Sequence, residues 1–470
     1  MVNDNSAENF AKQKRAVIVA PAGYGKTELI ARSVECCKGR QLVLTHTHAG
    51  VDSLRKRFKK YDIPSSQFNV ETIHSFALRF AGSYPKTTVL PFEKPTKDED
   101  YNQVISSAVN LFDIKLGKDI LRSSYSGIFV DEYQDCQVNQ HELICKLADV
   151  LPCRIVGDPL QGIYDFGSNQ IVDWDDNVFT IFDRLPDLET PYRWNKTNPT
   201  LGTWLQEVRA KIDDKKSITF VFNSDVMCVN DGQEQLNKCL YDSLSFNGTT
   251  FVICEPQNIN KPHSIAKSMK NKYRTIEPLT SKELCEYAEK IESTQNQNRL
   301  DNAIGFAKKC LTVITTECNS VRNNLNGNFR DSRKIKLRKH FKKICDTNEL
   351  RYVCDLFKFF ETEYATTYKR YQLWQEMKKG LQEVDMGHYD SLEEAVWQVR
   401  NQSRFRENRI PKRCISRTVL LKGLECNHAI IVNPELFDAK NLYVALTRAS
   451  SKLTIVSNNQ TWCNYSCKSV

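Results

Sequence analysis

No run of apolar residues in the 470-residue chain approaches the ~18 that a membrane-spanning helix requires. Met1 to Phe10 is polar and has no apolar h-region, so it does not read as a secretory signal, and a cytoplasmic protein without a membrane partner is expected. The 17 cysteines form no C-x-x-C pair and are scattered, so reduced thiols are expected rather than a disulfide framework. Cys463-Asn-Tyr-Ser-Cys467 is the nearest approach to a metal-ligand spacing, but it lacks a second pair. There is no internal repeat, and no Asp…Glu-x-Lys cluster of the nuclease kind near the C-terminal end. A net charge of +9 permits a nucleic-acid partner without demanding one. With 40% hydrophobic and 26% charged residues the composition is ordinary globular material. The length exceeds what one core supports, so two to four domains are expected.

What is present is organised around Ala20-Pro-Ala-Gly-Tyr-Gly-Lys-Thr27. The apolar run Ala16 to Val19 leads into it, and Glu28-Leu-Ile-Ala-Arg opens a helix. Strand, glycine loop, Lys-Thr and helix make a phosphate-binding loop. Backbone N–H groups of Ala22, Gly23, Tyr24 and Gly25, with the helix N-terminus, cradle phosphates, Lys26 reaches the β/γ-phosphates and the Thr27 hydroxyl sits on Mg²⁺. Such loops bind nucleoside triphosphates with Mg²⁺, and the resemblance given below implies ATP. The bland alternative is a Gly-rich turn with a chance Lys-Thr.

Further along, short apolar strands end in polar residues, as they do when strand tips of a parallel α/β sheet face a ligand. Gln41-Leu-Val-Leu-Thr-His-Thr-His48 precedes a basic amphipathic stretch, Val51 to Lys60, and Phe68-Asn-Val-Glu-Thr-Ile-His-Ser-Phe76 is a second such strand. Gly127-Ile-Phe-Val-Asp-Glu132 places two carboxylates at a strand end, Asp131 to hold Mg²⁺ through water and Glu132 to polarise an attacking water. Two solvated acids are the alternative. Cys153-Arg-Ile-Val-Gly-Asp-Pro-Leu-Gln161 offers Gln161 to a γ-phosphate or its attacking water, while Tyr164 and Phe166 either stack on bases or belong to the core. Thr249 to Cys254, Asn427 to Val432 and Lys452 to Ser457 read as strands of a second sheet, around a mostly helical tract from 281 to 404. Val353 to Met377 reads as one core-facing helix or a pair. Arg330 to Lys343 carries eight Lys/Arg and one acid, either to track a phosphate backbone or as a solvated helix face.

Eight segments in this order resemble the UvrD/Rep-like helicases of superfamily 1: APAGYGKT, LTHTHAG, VETIHSF, IFVDEYQD, VGDPLQGIYDF, TPYRW, VLLKGLEC and LYVALTRA, spanning residues 20 to 449. The resemblance implies an α/β fold of two RecA-like parallel-sheet domains with reduced, mainly helical insertions. The first domain is then 1–80 with 127–187, interrupted by a small insertion at 81–126, and the second is 188–280 with 405–470, interrupted by the helical insertion at 281–404. It implies a DNA translocase or helicase, an ATPase stimulated by single-stranded DNA and stepping 3′→5′. Lys26, Glu132, Gln161, Arg193 and Arg448 carry catalysis, the two arginines reaching the γ-phosphate. Tyr192 stacks on adenine, Glu425 meets the ribose, and Glu28 and Gly423 complete the nucleotide site. Thr45, His46, Thr72, His74, Tyr164 and Phe166 meet single-stranded DNA or a single-strand/duplex junction.

The sequence departs from that pattern in places. Glu28 stands where an arginine usually sandwiches adenine, and Gln13 lies only thirteen residues before Lys26, nearer than the usual adenine-reading glutamine. Leu420 and Leu421 replace a histidine and a small residue before Lys422. The insertions, about 46 and 124 residues, are trimmed relative to larger relatives. Small proteins of this build also resemble the helicase-like subunit of Gabija-type anti-phage systems, so a nucleotide-sensing ATPase that gates a nuclease partner is the alternative function. A small-molecule kinase or GTPase shares the phosphate loop but leaves YVALTRA and VDEYQD unexplained.

Overall fold

The computed structural model describes residues 4–90, 98–163, 170–220, 226–229, 232–270, 272–276, 282–347, 349–364, 368–405 and 411–465. By their contacts they fall into two compact units, Met1–Cys228 with Lys422–Asn427 and Asn433–Val470, and Val229–Leu421 with His428–Val432.

The first unit is built on β1 (Arg15–Val19), β2 (Gln41–Thr45), β3 (Phe68–Thr72), β4 (Gly127–Val130), β5 (Cys153–Gly157) and β6 (Asp183–Arg184), in the order β3-β2-β4-β5-β1-β6. All the pairings are parallel, with Val17 opposite Ile155, Leu42 opposite Ile128 and Val43 opposite Val70. Strands covered on both faces read as unbroken apolar runs, and the pleat then sends alternate residues to opposite cores. Val17, Val19, Leu42 and Leu44 enter one hydrophobic cluster, while Ala16, Ile18 and Val43 enter the other. Helices α1 (Asp4–Lys12), α2 (Lys26–Cys36), α3 (His48–Lys60) and α4 (Ile73–Ser83) flank the sheet. The insertion contributes helices Asp98–Asp113 and Lys115–Ser124, anchored by Phe112 against Phe76 and Phe80.

By contact the segments 188–228 and 433–470 fall with this unit, while Ala449–Val456 is a strand of the second sheet, where the sequence reading puts Lys452 to Ser457. Trp194 is buried and donates its indole N–H to the Ala449 carbonyl at 2.7 Å, holding the two segments to each other, and Leu188 N donates to Val19 O at 3.1 Å, joining the first of them to β1.

In the second unit, strands Arg274–Thr275, Arg413–Arg417, Thr250–Cys254 and Cys426–Val432 lie side by side in that order, all parallel. The expected class, α/β with two parallel-sheet domains and mainly helical insertions, is the one observed. The tract from 282 to 405 folds as seven helices among the described residues, around a core where Phe306, Phe357 and Trp374 stack. Val353 to Met377 is a pair of helices, Arg351–Glu363 and Tyr371–Asp385. The basic segment forms helix Ser332–Asp346, capped where Asp331 accepts from Lys334 N at 2.9 Å. No described helix is long and apolar enough to cross a membrane.

Candidate nucleotide site

The order β4-β5-β1 sets three strand tips side by side, and each carries part of the site. At β1, Ala20 N donates to Gly157 O at 2.9 Å, so the loop leaves the sheet against the end of β5. Gly23 (φ 76°) and Gly25 (φ 91°) take left-handed conformations that a side chain would resist. Gly25 occupies the N-cap of α2 and supplies no side-chain cap, which leaves the first N–H groups of the helix facing the loop. Lys26 is buried, and its ammonium donates to Ala20 O at 3.2 Å within the same loop.

At β4, Asp131 is buried and accepts from Glu132 N at 2.9 Å. Glu132 is itself left-handed (φ 55°, ψ 42°), a conformation that costs a non-glycine residue on the order of 1–3 kcal/mol. Burial opposes the Glu132 charge, but Lys26 and a hydrogen bond from Gln134 outweigh it and hold Glu132 below its ordinary range. Burial together with the Glu132 charge raises Asp131 above its ordinary range. Thr27 and Asp131 offer oxygen donors, the kind a hard divalent cation takes, and so fit Mg²⁺.

At β5, Asp158 accepts from Gln161 Nε2 at 2.8 Å, and Asp158 N donates to Gln134 Oε1 at 2.9 Å. Gln134 therefore ties the β4 tip to the β5 tip. Two arginines distant in sequence close the site. Arg193 N donates to Gly23 O at 3.1 Å, and a Cβ at Gly23 would stand 2.8 Å from Arg193 Cβ, so the loop and the Arg193 turn meet backbone to side chain. The Arg193 guanidinium donates to Thr447 O at 2.6 Å and to the Glu425 carboxylate. Arg448 is buried, holds Val444 O and Leu424 O at 2.9 and 3.1 Å, and reaches Gln161 Oε1 at 3.4 Å. Burial and the Arg193 charge push it down to about 10.

The structure thus gathers Lys26, Asp131, Glu132, Gln161, Arg193 and Arg448 with the loop residues Ala22 to Thr27. Other expected residues are differently engaged. Glu425 is the ion-pair partner of Arg193. Glu28 pairs with Arg57 at 2.7 Å. Tyr192 is half-buried against the core on the α2 side of the sheet. Gly423 has φ 78° and open space where a Cβ would stand. Thr45 and Thr72 are buried, and the Thr72 hydroxyl caps α4 by accepting from Ser75 N at 3.0 Å. Burial and the Lys422 and His74 charges push His46 down to about 3, and burial also lowers His74. Tyr164 and Phe166 lie outside the described residues.

Two pairs escaped the sequence reading. Asp158, fully buried, takes Arg209 Nη1 at 2.9 Å, and Arg209 also donates to Tyr443 Oη at 3.0 Å. Lys422 pairs with Asp135 with both side chains almost wholly buried; burial lowers the lysine and raises the aspartate to about 6. Asp158, Asp135, Lys422 and Tyr443 sit inside recognised segments and were available as signals. Arg209 belongs to none, and on helix Pro199–Asp213 it reads as one more surface charge.

Residues 4–167 match the family described as AAA domain. No curated protein matches. Among solved structures, the chain is similar to arterivirus nonstructural protein 10, a helicase, in complex with DNA (9% identity, TM-score 0.36, covering 96% of this chain and 63% of that one). The same arterivirus protein in a second structure gives 10% identity and a TM-score of 0.35, covering 96% of this chain and 61% of that one. Pif1 helicase from Bacteroides, with ADP-AlF3 and ssDNA, gives 12% identity and a TM-score of 0.26, covering 53% of this chain and 58% of that one. The chain thus spans less than two thirds of the length of each of these three.

Proposed function

We propose that the protein is a superfamily 1 DNA translocase or helicase of the UvrD/Rep-like kind, hydrolysing ATP in response to single-stranded DNA and stepping 3′→5′. The observation that carries this is the meeting of Arg193 and Arg448, remote in sequence, with the phosphate loop and Gln161. Lys26 exchanges the Ala20 carbonyl for phosphate oxygens. Thr27 and Asp131 would hold Mg²⁺, which would supply neutralisation of the phosphate charge. Glu132, kept ionised by Lys26 and Gln134, takes the proton of the attacking water. The arginines stabilise charge that develops on the transferred phosphoryl group, a contribution of roughly 10³–10⁵ in rate where one is supplied in this way. His46 and His74, beside the tips of β2 and β3, are the DNA contacts on this reading, with Tyr164 and Phe166.

ATP hydrolysis by the purified chain, with and without single-stranded DNA, is the test. Strong stimulation that weakens steeply with salt is expected. Bound ATP with no stimulation would favour a nucleotide-gated subunit instead. Glu132→Gln should abolish turnover and leave ATP binding intact, and preserved turnover would remove Glu132 from the role of base.

A further inference from the structure

Cradling phosphates takes the backbone N–H groups of Ala22 to Gly25, so that chemistry asks for no particular side chain at Tyr24. Yet the phenol is buried, only 6% exposed, and burial raises it above its ordinary range, so it stays neutral. Its hydroxyl hydrogen-bonds the side chain of Gln206 on helix Pro199–Asp213, and Gln206 Nε2 also donates to Glu189 O at 3.2 Å. Two further residues of that helix meet the nucleotide site. Gly202 lets the helix approach the Arg193 turn. A Cβ at Gly202 would stand 2.8 Å from Trp194 Cβ, and one at Gly23 would stand 2.9 Å from the Trp194 ring. Trp194 is thus wedged between the phosphate loop and the helix. Arg209 holds Asp158, which in turn holds Gln161. Gly202, Gln206 and Arg209 stand at i, i+4 and i+7, which is one face of an α-helix. Over about 10 Å of helix that single face meets Trp194, Tyr24 and Asp158 in succession.

We propose that this helix face is a splint that fixes the phosphate loop against the β5 tip, with Tyr24 and Gln206 as positioning residues for nucleotide binding. The inference rests on the reading of residues 20–27 as a nucleotide site, and on neither single-stranded DNA nor stepping. Neither side chain has to touch the nucleotide. The bond between them holds the loop backbone in place before the ligand arrives, and a loop already ordered loses less entropy on binding. The two ends of the face divide the work. Tyr24 and Gln206 act on phosphate binding, which ADP and ATP share. Arg209, through Asp158, acts on Gln161 and so on turnover.

Isothermal titration calorimetry of the full chain with Mg²⁺-ADP, beside steady-state ATP hydrolysis, tests it in Tyr24→Phe, Gln206→Met and the double variant. Tyr24→Phe loses the hydroxyl and keeps the packed ring. Each single variant should bind ADP about three- to tenfold more weakly, the range that one net hydrogen bond spans. KM for ATP should rise by the same factor with kcat kept. The double variant should bind no more weakly than Gln206→Met, since both changes remove one bond. Unchanged ADP affinity in Tyr24→Phe, or additive losses in the double variant, would overturn the proposal. So would lowered stoichiometry and kcat with affinity kept, which is what a merely structural role predicts. Absence of ADP binding by the wild-type chain would overturn it together with the nucleotide-site reading. ADP binding without hydrolysis would count against the ATPase alone and leave the affinity comparison to decide.

Discussion

Arg209 and Asp158 form the pair on which the β5 tip depends. Asp158 is fully buried and receives Arg209, Gln161 and the Leu160 N–H together. Removing one partner of a buried pair strands the other charge, so Arg209→Ala should lower stability by about 3–5 kcal/mol in denaturant unfolding. Loss of ATPase should accompany it, because Gln161 then loses a fixed anchor. Gly157 makes a second case at this scale. A Cβ there would stand 2.8 Å from Gln134 Oε1 and 2.9 Å from the Trp174 ring, neither of which is a free surface group. Gly157→Ala should cost about 1–3 kcal/mol by overpacking, measured the same way. The places of Lys26 and Glu132 at their strand tips were legible because they follow from immediate neighbours along the chain. Arg209 was not, since nothing within its own helix distinguishes a buried charge from a solvated one.

At the scale of elements, the strands were legible because burial on both faces writes itself as unbroken apolar runs. The basic segment 330–343 illustrates what pattern leaves open. Leu337, Phe341 and Ile344 turn one side of helix Ser332–Asp346 inward. Of its cations, Lys336 meets Glu363 at 2.9 Å and Arg338 bonds the Gly327 carbonyl, so part of the charge is spent within the fold. The pair of helices behind it offers two tests. Trp374 stacks on Phe357 at 4.4 Å and donates to Glu361 at 2.8 Å, so Trp374→Ala should destabilise the helical tract by about 3–5 kcal/mol. Burial works against the Glu361 charge, but hydrogen bonds from Lys378 and Trp374 overcome it and hold the carboxyl below its ordinary 4.5. A carboxyl depressed in the folded state contributes fully above its unfolded value and loses that contribution as pH falls through the folded one. Amide exchange in helix Arg351–Glu363 should therefore be unchanged between neutral pH and about 5, once corrected for intrinsic rate, and accelerate below about 4. A flat profile would show that Glu361 does not hold these helices together.

At the scale of the whole molecule, each unit has its own hydrophobic core, and the nucleotide-site residues described lie in the first. A ligand that binds only the folded form stabilises by mass action, so Mg²⁺-ATP at a hundred times its dissociation constant should add about 2.7 kcal/mol to the unfolding of that unit. Lys26→Ala should remove most of the gain, as read from thermal or denaturant transitions with and without nucleotide.

The sequence by itself determined the strand tips and the phosphate loop, because unbroken apolar runs, glycine conformation and helix starts are settled by residues within a few positions of one another. It also determined which loop and carboxylate residues share a site, since parallel strands put all their C-terminal ends on one edge. Only the tertiary structure decided that Glu425 pairs with Arg193, that Arg209 pairs with the buried Asp158, and that Lys422 and Arg154 are buried charges. Those outcomes depend on which distant carboxylate, carbonyl or cavity a side chain meets once the chain has closed, and no local spacing records that meeting.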